Sequence, residues 1–458
     1  MQEHVQLDQK QINRELLSGV LKTPRWWPPA MVFFTLVFLT GAAAFGYMLN
    51  KGVGVTGLNR PVFWGIFIVN FVFWIGISHA GIMISAILRL SQAEWRRPIT
   101  RAAEVLTVFS LMAALMAAPL VHVGRPWRAD LWVFPYDFAR GIWINIRSPF
   151  IWDPSAVMTY LTASTLFVMV ALLPDLAIIR DRSTGLRHTV YSFLCLGWRG
   201  SPRQWKLQAV AGILLSALVL PVFVSVHSIV SWDFAVQIGP EGWHSTIFAP
   251  YFIIGAIHSG VSAVATIMIL MVWLWGWGKY LTSDHLDAIG RLLIVIAVTW
   301  FFFFFLEWIF ALYALEKAET AMRDLQVFQW PWNGLFLLFL VTAFVFPVPM
   351  WLFRNVRRSF FWMFVTTVSV NIGMWLERFL IIVPGLMRRS GMIFDWGSYR
   401  PSIIEIAMVA MTFAWVALGL LIFSKYFPLI PLFDIKEGMV GRAVIKIGRR
   451  TVPASIRE

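Results

Sequence analysis

Of the eight histidines in this 458-residue chain, His79, His122, His227 and His258 stand within or at the ends of long apolar stretches. So do Asp153, Glu307, Glu377, Glu405 and Arg378. An ionisable group in hydrocarbon costs about 3 kcal/mol or more at the centre of a span, so each of these needs a reason to be there. Span 3 ends at His122 and span 4 starts at Asp153. Span 5 carries His227 near its end, followed by Asp233, and span 6 starts near His244 and Tyr251. With Arg125 and Arg147 these groups are expected at one rim of a helix bundle. The simplest chemistry for such a rim is proton-coupled. A quinol gives up two protons and two electrons. Its site needs a base near each ring hydroxyl, an apolar slot and a nearby electron acceptor. Histidine titrates near working pH, and one His and one Asp of this rim could take one proton each. The bland alternative is that a His or Asp at the mouth of a span caps a helix or meets water, and that Arg125, Arg128 and Arg147 snorkel to headgroups. The clustering of His and Asp side chains on one rim favours chemistry.

Metal chemistry within the chain has little to stand on. The single cysteine, Cys195, cannot hold an iron–sulfur cluster or attach a c-type haem. There is no HExxH string and no close His-x-His. A redox metal would have to be a haem on histidines or belong to a partner. His79 and His258 are expected near the membrane midplane but in different bundles, with no obvious second ligand at that depth in either. Structural hydrogen bonding and a proton path are the other readings for them. Glu307, Glu377, Arg378 and Glu405 fall in the outer half of the membrane and suggest either a buried ion pair or a proton route. Adjacent residues on a helix do not face each other, so Arg378 is expected to pair with Glu307 or another carboxylate, not with Glu377.

The elements that must position these groups are transmembrane helices. The chain is 59% hydrophobic and 14% charged, against about 25% charged in soluble domains. A hydrocarbon core about 30 Å thick takes about 20 apolar residues in a helix. Ten runs qualify: 30–50, 62–88, 104–121, 154–173, 208–229, 247–274, 292–315, 333–353, 359–385 and 402–424. The polar first 29 residues lack a signal-peptide layout, so no removal is expected. With the N-terminus inside, the inner segments carry 25 Lys and Arg against 11 in the outer loops. Both termini are therefore expected in the cytoplasm. The net charge of +14 reads as topology signal and contact with anionic lipid, not as a nucleic-acid footprint.

Residues 73–81, FWIGISHAG, and 252–260, FIIGAIHSG, share Phe, Ile, Gly, His and Gly at the same places. Four spans separate the copies, so both run the same way across the membrane, as in a parallel repeat. The expected fold is all-α and integral to the membrane: about ten transmembrane helices in two four-helix bundles, spans 2–5 and 6–9, with spans 1 and 10 flanking. The divisions are a cytoplasmic tail 1–29, span 1 and an outer loop 30–61, a first bundle 62–229 holding the candidate site, a second bundle 230–385, an outer loop and span 10 at 386–424, and a cytoplasmic tail 425–458.

LVHVGRPWR (120–128), WINIRSPFIWDP (143–154), the FWIGISHAG span and GWHSTIFAPYFIIGAIHSG (242–260) resemble the NrfD-like family of membrane quinol subunits, which includes the polysulfide-reductase membrane subunit. Within that family the likeness is greatest to the ActC-type quinol-oxidising subunits of bacterial alternative complex III. It covers essentially the whole chain. The HxGRPW and RSPxxWD strings are the more specific part, and the FxIGxxHxG helix less so. The resemblance implies a quinol site in spans 2–5, with menaquinol favoured and no haem or iron–sulfur cluster in the chain itself. His122 and Asp153 match the family's quinol-site positions, with Arg125, Arg147, Asp233 and Tyr251 nearby. It implies an iron–sulfur protein subunit and c-type cytochrome subunits on the outer face, a homologous ActF-like membrane subunit, and the bacterial inner membrane as location. Proton translocation is a further implication, for which His79, His258, Glu307, Glu377 and Arg378 are the route their own positions suggest. The readings from other classes are a secondary transporter or proton channel, a di-haem protein of the cytochrome b kind, and an ActF-like sister subunit without a quinol site.

Overall fold

The computed structural model describes residues 9–59, 61–123, 149–237, 245–387, 397–440, 444–447 and 450–453. Ten helices in it are long and apolar enough to cross a membrane. They are α1 (Trp27–Lys51), α2 (Gly65–Leu90), α3 (Thr100–Val123), α4 (Pro149–Arg180), α5 (Pro202–Gln237), α6 (Phe248–Trp275), α7 (Ser283–Ala314), α8 (Trp332–Leu352), α9 (Phe360–Met387) and α10 (Ile403–Tyr426). Each of the ten apolar runs forms one helix. Several helices extend well beyond their runs, because polar residues at the ends of a span can stay helical in the headgroup region.

Helix packing closes two rings. α2 packs on α3 and α5, and α4 packs on the same two. α6 packs on α7 and α9, and α8 packs on the same two. The rings meet where α2 lies on α6, flanked by α5 on α6 and α9 on α2. These flanking contacts exchange when the bundles exchange, as a parallel repeat requires. α10 packs on α1 and α3. α2 is apolar on all sides and almost wholly buried, which is where such a helix belongs. α1, α5, α7 and α8 present large exposed apolar side chains, for example Phe33, Leu214, Phe302 and Leu337, and these form the surface offered to lipid.

The α2–α6 seam is built on the repeated motif. A Cβ placed on Gly76 would lie 3.5 Å from Ala256 Cα, and one on Gly260 would lie 2.0 Å from Ala80 Cβ. The contact advances from 76/256 to 80/260, so the two helices run in the same direction. It also sets His79 and His258 within about one residue of the same depth. Small residues allow this close approach, and in lipid such packing is a principal source of helix association.

α8 is interrupted by a π-turn at Val341–Val345, just before Pro347. Proline cannot donate to the preceding turn and its ring crowds that turn's carbonyl. The wider turn relieves this, with Phe346 N–H donating to Val341 O at 2.9 Å. Ser369 Oγ of α9 donates to Thr342 O at 2.9 Å.

The end of the molecule that carries the helices Gln9–Leu16 and Leu432–Val440 is pinned by ions. Asp175, fully buried on α4, accepts from Arg101 at 3.2 Å and from the backbone N–H groups of Leu432 and Phe433 at 3.3 Å. Ser85 of α2 donates to Glu104 at 2.6 Å, and Arg97 meets Glu437 at 2.6 Å. The helix Gln9–Leu16 docks on the same end: Tyr280 donates to Glu15 at 3.0 Å, and Lys279 lies 3.3 Å from it. The all-α expectation needs one addition. A two-stranded antiparallel hairpin, Val444–Ile447 with Arg450–Pro453, follows the last helix.

Candidate functional site

The first bundle holds a buried aromatic and imidazole group. His79 of α2 is fully buried. Its ring stacks on Tyr160 of α4 at 4.3 Å between centroids and meets His227 of α5 edge-on at 5.0 Å, with Phe223 at 5.4 Å. His79 Nδ1 lies 2.6 Å from Ile75 O. A carbonyl can only accept, so Nδ1 carries the proton and Nε2 is left with a lone pair. Nε2 finds no partner among the described residues, and neither does either ring nitrogen of His227. Tyr160 donates toward the carbonyls of Ser78 and His79 at 3.3 and 3.2 Å, fixing α4 against α2 at this level. An unsatisfied buried polar group costs about 1–3 kcal/mol, so these three nitrogens, two acceptors and one donor in the neutral rings, mark a place able to exchange hydrogen bonds or protons.

Two expectations change here. His227 was assigned to the rim, near the end of span 5. α5 in fact continues to Gln237, so His227 lies more than two turns inside its helix and at the depth of His79. The absence of a second ligand near His79 is corrected by the same fact. No group of three or more His, Cys, Asp or Glu side chains among the described residues is arranged for a metal.

Each repeated histidine faces into its own bundle. His258, fully buried, lies 5.6 Å from the Trp300 ring of α7 and 6.4 Å from the Trp351 ring of α8, and both its ring nitrogens are unpartnered among the described residues. Beside it stands the second polar group. Glu377 accepts from Trp300 Nε1 at 2.9 Å, from the Tyr251 hydroxyl and from Arg378 Nη1. Arg378 also donates to Met374 O at 2.9 Å, and its guanidinium carbon lies 5.6 Å from the Phe252 ring centre.

The adjacent pair Glu377–Arg378 is therefore an ion pair, contrary to the expectation drawn from helical spacing. The guanidinium is long enough to fold back beside its neighbour, and Tyr251 and Trp300 hold the carboxylate where it can be reached. Glu307 is met instead by Arg323 at 3.8 Å, which also pairs with Glu319 at 3.2 Å. Arg323 comes from the short helix Lys317–Phe328 between α7 and α8 and lies over the Trp308 ring at 4.7 Å. Glu307, Glu377, Tyr251 and Arg323 line a narrow cavity of about 20 Å³, walled by Phe248, Phe304 and Phe339. That is room for a water molecule. Tyr251, expected beside the first bundle's rim, thus turns its hydroxyl to the second bundle. Glu405 is a cap: it closes a capping box with Ser402 and accepts from Tyr399 at 2.6 Å and Gly57 N–H at 2.7 Å.

The backbone at His122, Asp153 and Asp233 lies on α3, α4 and α5, and the side chains there fall outside the described residues. Arg125, Arg128, Arg147 and His244 lie outside the described residues altogether. Tyr160 was missed in the sequence although a signal existed: it stands seven residues after Asp153, a spacing that returns to one helix face. Trp300 and Arg323 carry nothing in the sequence that sets them apart from other aromatic or loop residues.

A third feature is an apolar cleft of about 680 Å³ at mid-depth, between α9 and α10 and floored by Phe73, Trp74, Ile77 and Ala263. Its walls are mostly aliphatic and aromatic, with Thr266 and Asn371 among them.

Comparison with known proteins gives a family and several relatives. Residues 54–389 match the family model for NrfD, polysulphide reductase. The chain is 24% identical, over 92% of its own length and 95% of the relative's, to a Halobacterium salinarum protein provisionally named as a membrane subunit of dimethyl sulfoxide reductase. It is 23% identical, over 88% and 95%, to the Hdr-like menaquinol oxidoreductase integral membrane subunit of Archaeoglobus fulgidus. A selenate reductase subunit of Mesobacillus selenatarsenatis is 20% identical, over 88% and 94%.

Proposed function

We propose, given that the chain belongs to the NrfD (polysulphide reductase) family, that it is the membrane subunit of a quinol-linked oxidoreductase complex and oxidises quinol at the outer end of the first bundle. The finer assignment is to the ActC type, the quinol-oxidising subunit of alternative complex III, in a bacterial inner membrane with both termini cytoplasmic. Menaquinol is the favoured quinol, in keeping with the name of the Archaeoglobus relative. An iron–sulfur subunit and c-type cytochrome subunits would take the electrons on the outer face, beside an ActF-like sister subunit.

The observation that supports this most is the His79–Tyr160–His227 group. It lies in the bundle where His122 and Asp153 stand at one end, on α3 and α4. Its orphaned ring nitrogens suit a hydroxylated ring or the protons such a ring releases. When bound, the quinol supplies two protons and two electrons. His122 and Asp153 each accept one proton, and Arg125, Arg147 and Asp233 orient the ring and the acceptors. His79 accepts at Nε2, since Nδ1 is committed to Ile75 O, and so offers an onward step for one proton. Tyr160 keeps the His79 ring from turning. The electrons leave to the iron–sulfur partner.

In the second bundle, Tyr251, Glu377, Arg378 and Glu307 around the small cavity, with His258 beside them, support a proton route as part of the same function. In the purified complex, His122→Ala and Asp153→Asn are expected to abolish quinol-dependent reduction while leaving assembly intact, and Glu307→Gln to lower protons released per electron without stopping turnover. Full turnover in both rim variants would overturn the site. An unchanged proton ratio in the third would overturn the route.

A further inference from the structure

Arg378 does not stand at the edge of the second bundle. It reaches from α9 into the seam between the two. A Cβ on Gly255 would lie 3.3 Å from Arg378 Nη2, and one on Gly76 would lie 3.7 Å from the same atom. Gly76 and Gly255 are the repeat-equivalent glycines of the two FxIGxxHxG strings. The repeat therefore leaves out a side chain on both α2 and α6 at the place where one guanidinium enters. Three residues further along each helix come His79 and His258. The Phe252 ring lies 5.6 Å from the Arg378 guanidinium carbon and 6.1 Å from the His227 ring, so a single aromatic layer separates the cation from the first bundle's imidazoles.

These contacts make one buried polar line. It starts at Tyr160, His79 and His227 in the first bundle and passes the Phe252 ring to Arg378. From there it continues through Glu377 to Tyr251 and Trp300, and across the small cavity to Glu307 and Arg323. We infer that Arg378, seated in the slot left by Gly76 and Gly255, is a positioning residue that couples the histidines of the first bundle to the carboxylate of the second, so that a charge change in one bundle is felt in the other. A guanidinium next to imidazoles opposes a second positive charge on them, and its carboxylate partner offsets that opposition. The charged and titratable groups facing the histidine group among the described residues are Tyr160 from α4 and, from α9, Arg378 with Glu377; Tyr251 of α6 and Glu307 of α7 stand beyond Glu377. Coupling of this kind is reciprocal. Removing the proton-bearing capacity of Glu377 must alter how the histidines titrate, and altering the histidines must change proton occupancy at Glu377.

The consequence for turnover rests on the proposed quinol chemistry, but the coupling itself does not, and its test can be made without quinol. The complex, carrying ¹⁵N-labelled histidine in lipid nanodiscs, is titrated by solid-state NMR. Arg378→Gln is expected to move the midpoint of the buried imidazoles to higher pH by about one unit, a tenfold gain in proton affinity. Glu377→Gln is expected to move it to lower pH, the double variant to return it near the parent value, and Arg378→Lys to hold it there. A residue that only held the helices together would not give opposite shifts. Should Arg378→Gln fail to assemble, Glu377→Gln alone decides: a downward shift supports the coupling and an unchanged midpoint overturns it. Unchanged titration with normal quinol turnover rejects the coupling alone. The expected shifts without quinol turnover in any preparation reject the quinol reading alone.

Discussion

Replacing Gly260 by alanine tests the seam on which this arrangement depends. The new Cβ would sit 2.0 Å from Ala80 Cβ and 3.3 Å from both Ala80 Cα and Ile77 O. Carbon atoms pack at about 3.5–4.0 Å, so α2 and α6 must separate or shear by roughly 1.5–2 Å. Overpacking of this kind costs about 1–3 kcal/mol. The better helix propensity of alanine returns about 0.5–1 kcal/mol. The net expectation is a loss of about 1–2 kcal/mol. The same substitution at Gly76, where the nearest atoms are 3.5 Å away, should cost little. At Gly46, with nothing within 4 Å, it should be neutral or slightly stabilising. The sharper form is a swap. Ala80→Gly removes the atom that the new Cβ would strike, so Ala80→Gly with Gly260→Ala should recover most of the loss in a double-mutant cycle. Unfolding in mild detergent with increasing denaturing detergent, followed by tryptophan fluorescence, gives the four stabilities. If Gly260→Ala is as stable as Gly76→Ala, or the swap recovers nothing, the close crossing at 80/260 is refuted.

Two other expectations follow from the end that carries the helices Gln9–Leu16 and Leu432–Val440. Asp175→Asn leaves Arg101 without its 3.2 Å partner and weakens the acceptor for the N–H groups of Leu432 and Phe433. Breaking a buried pair from one side costs about 3–5 kcal/mol, so segment 432–440 should become sensitive to added protease, which gel analysis of the cleavage products would reveal. Glu15 is held below its usual pKa of 4.5 by Gln11 and, against some burial, by Tyr280 and Lys279. A depressed carboxylate stabilises when ionised. Docking of the helix Gln9–Leu16 should therefore be complete above about pH 4.5 and weaken as the pH falls below it, and hydrogen exchange of residues 9–16 should rise there while Glu15→Gln shows no such step.

The ten helices, their shared direction in the repeat and several of the polar residues buried among them are legible in the order of residues. A run of about 20 apolar residues is a local property, since within a bilayer the backbone must satisfy its own hydrogen bonds and a helix does so without a partner. The recurrence of Gly76 and His79 as Gly255 and His258 is likewise local, and it was enough to predict that α2 and α6 run the same way. Where each side chain reaches is a different matter. Helical spacing argued against Glu377 pairing with Arg378, yet the pair forms, because Tyr251 and Trp300 arrive from other helices and hold the carboxylate within reach of a long, flexible cation. Spacing also placed His227 at a rim, but the length of α5 and the packing of α2 put it against His79. Polar partners inside a membrane are chosen by which helices meet at a given depth, and only the tertiary structure decides that.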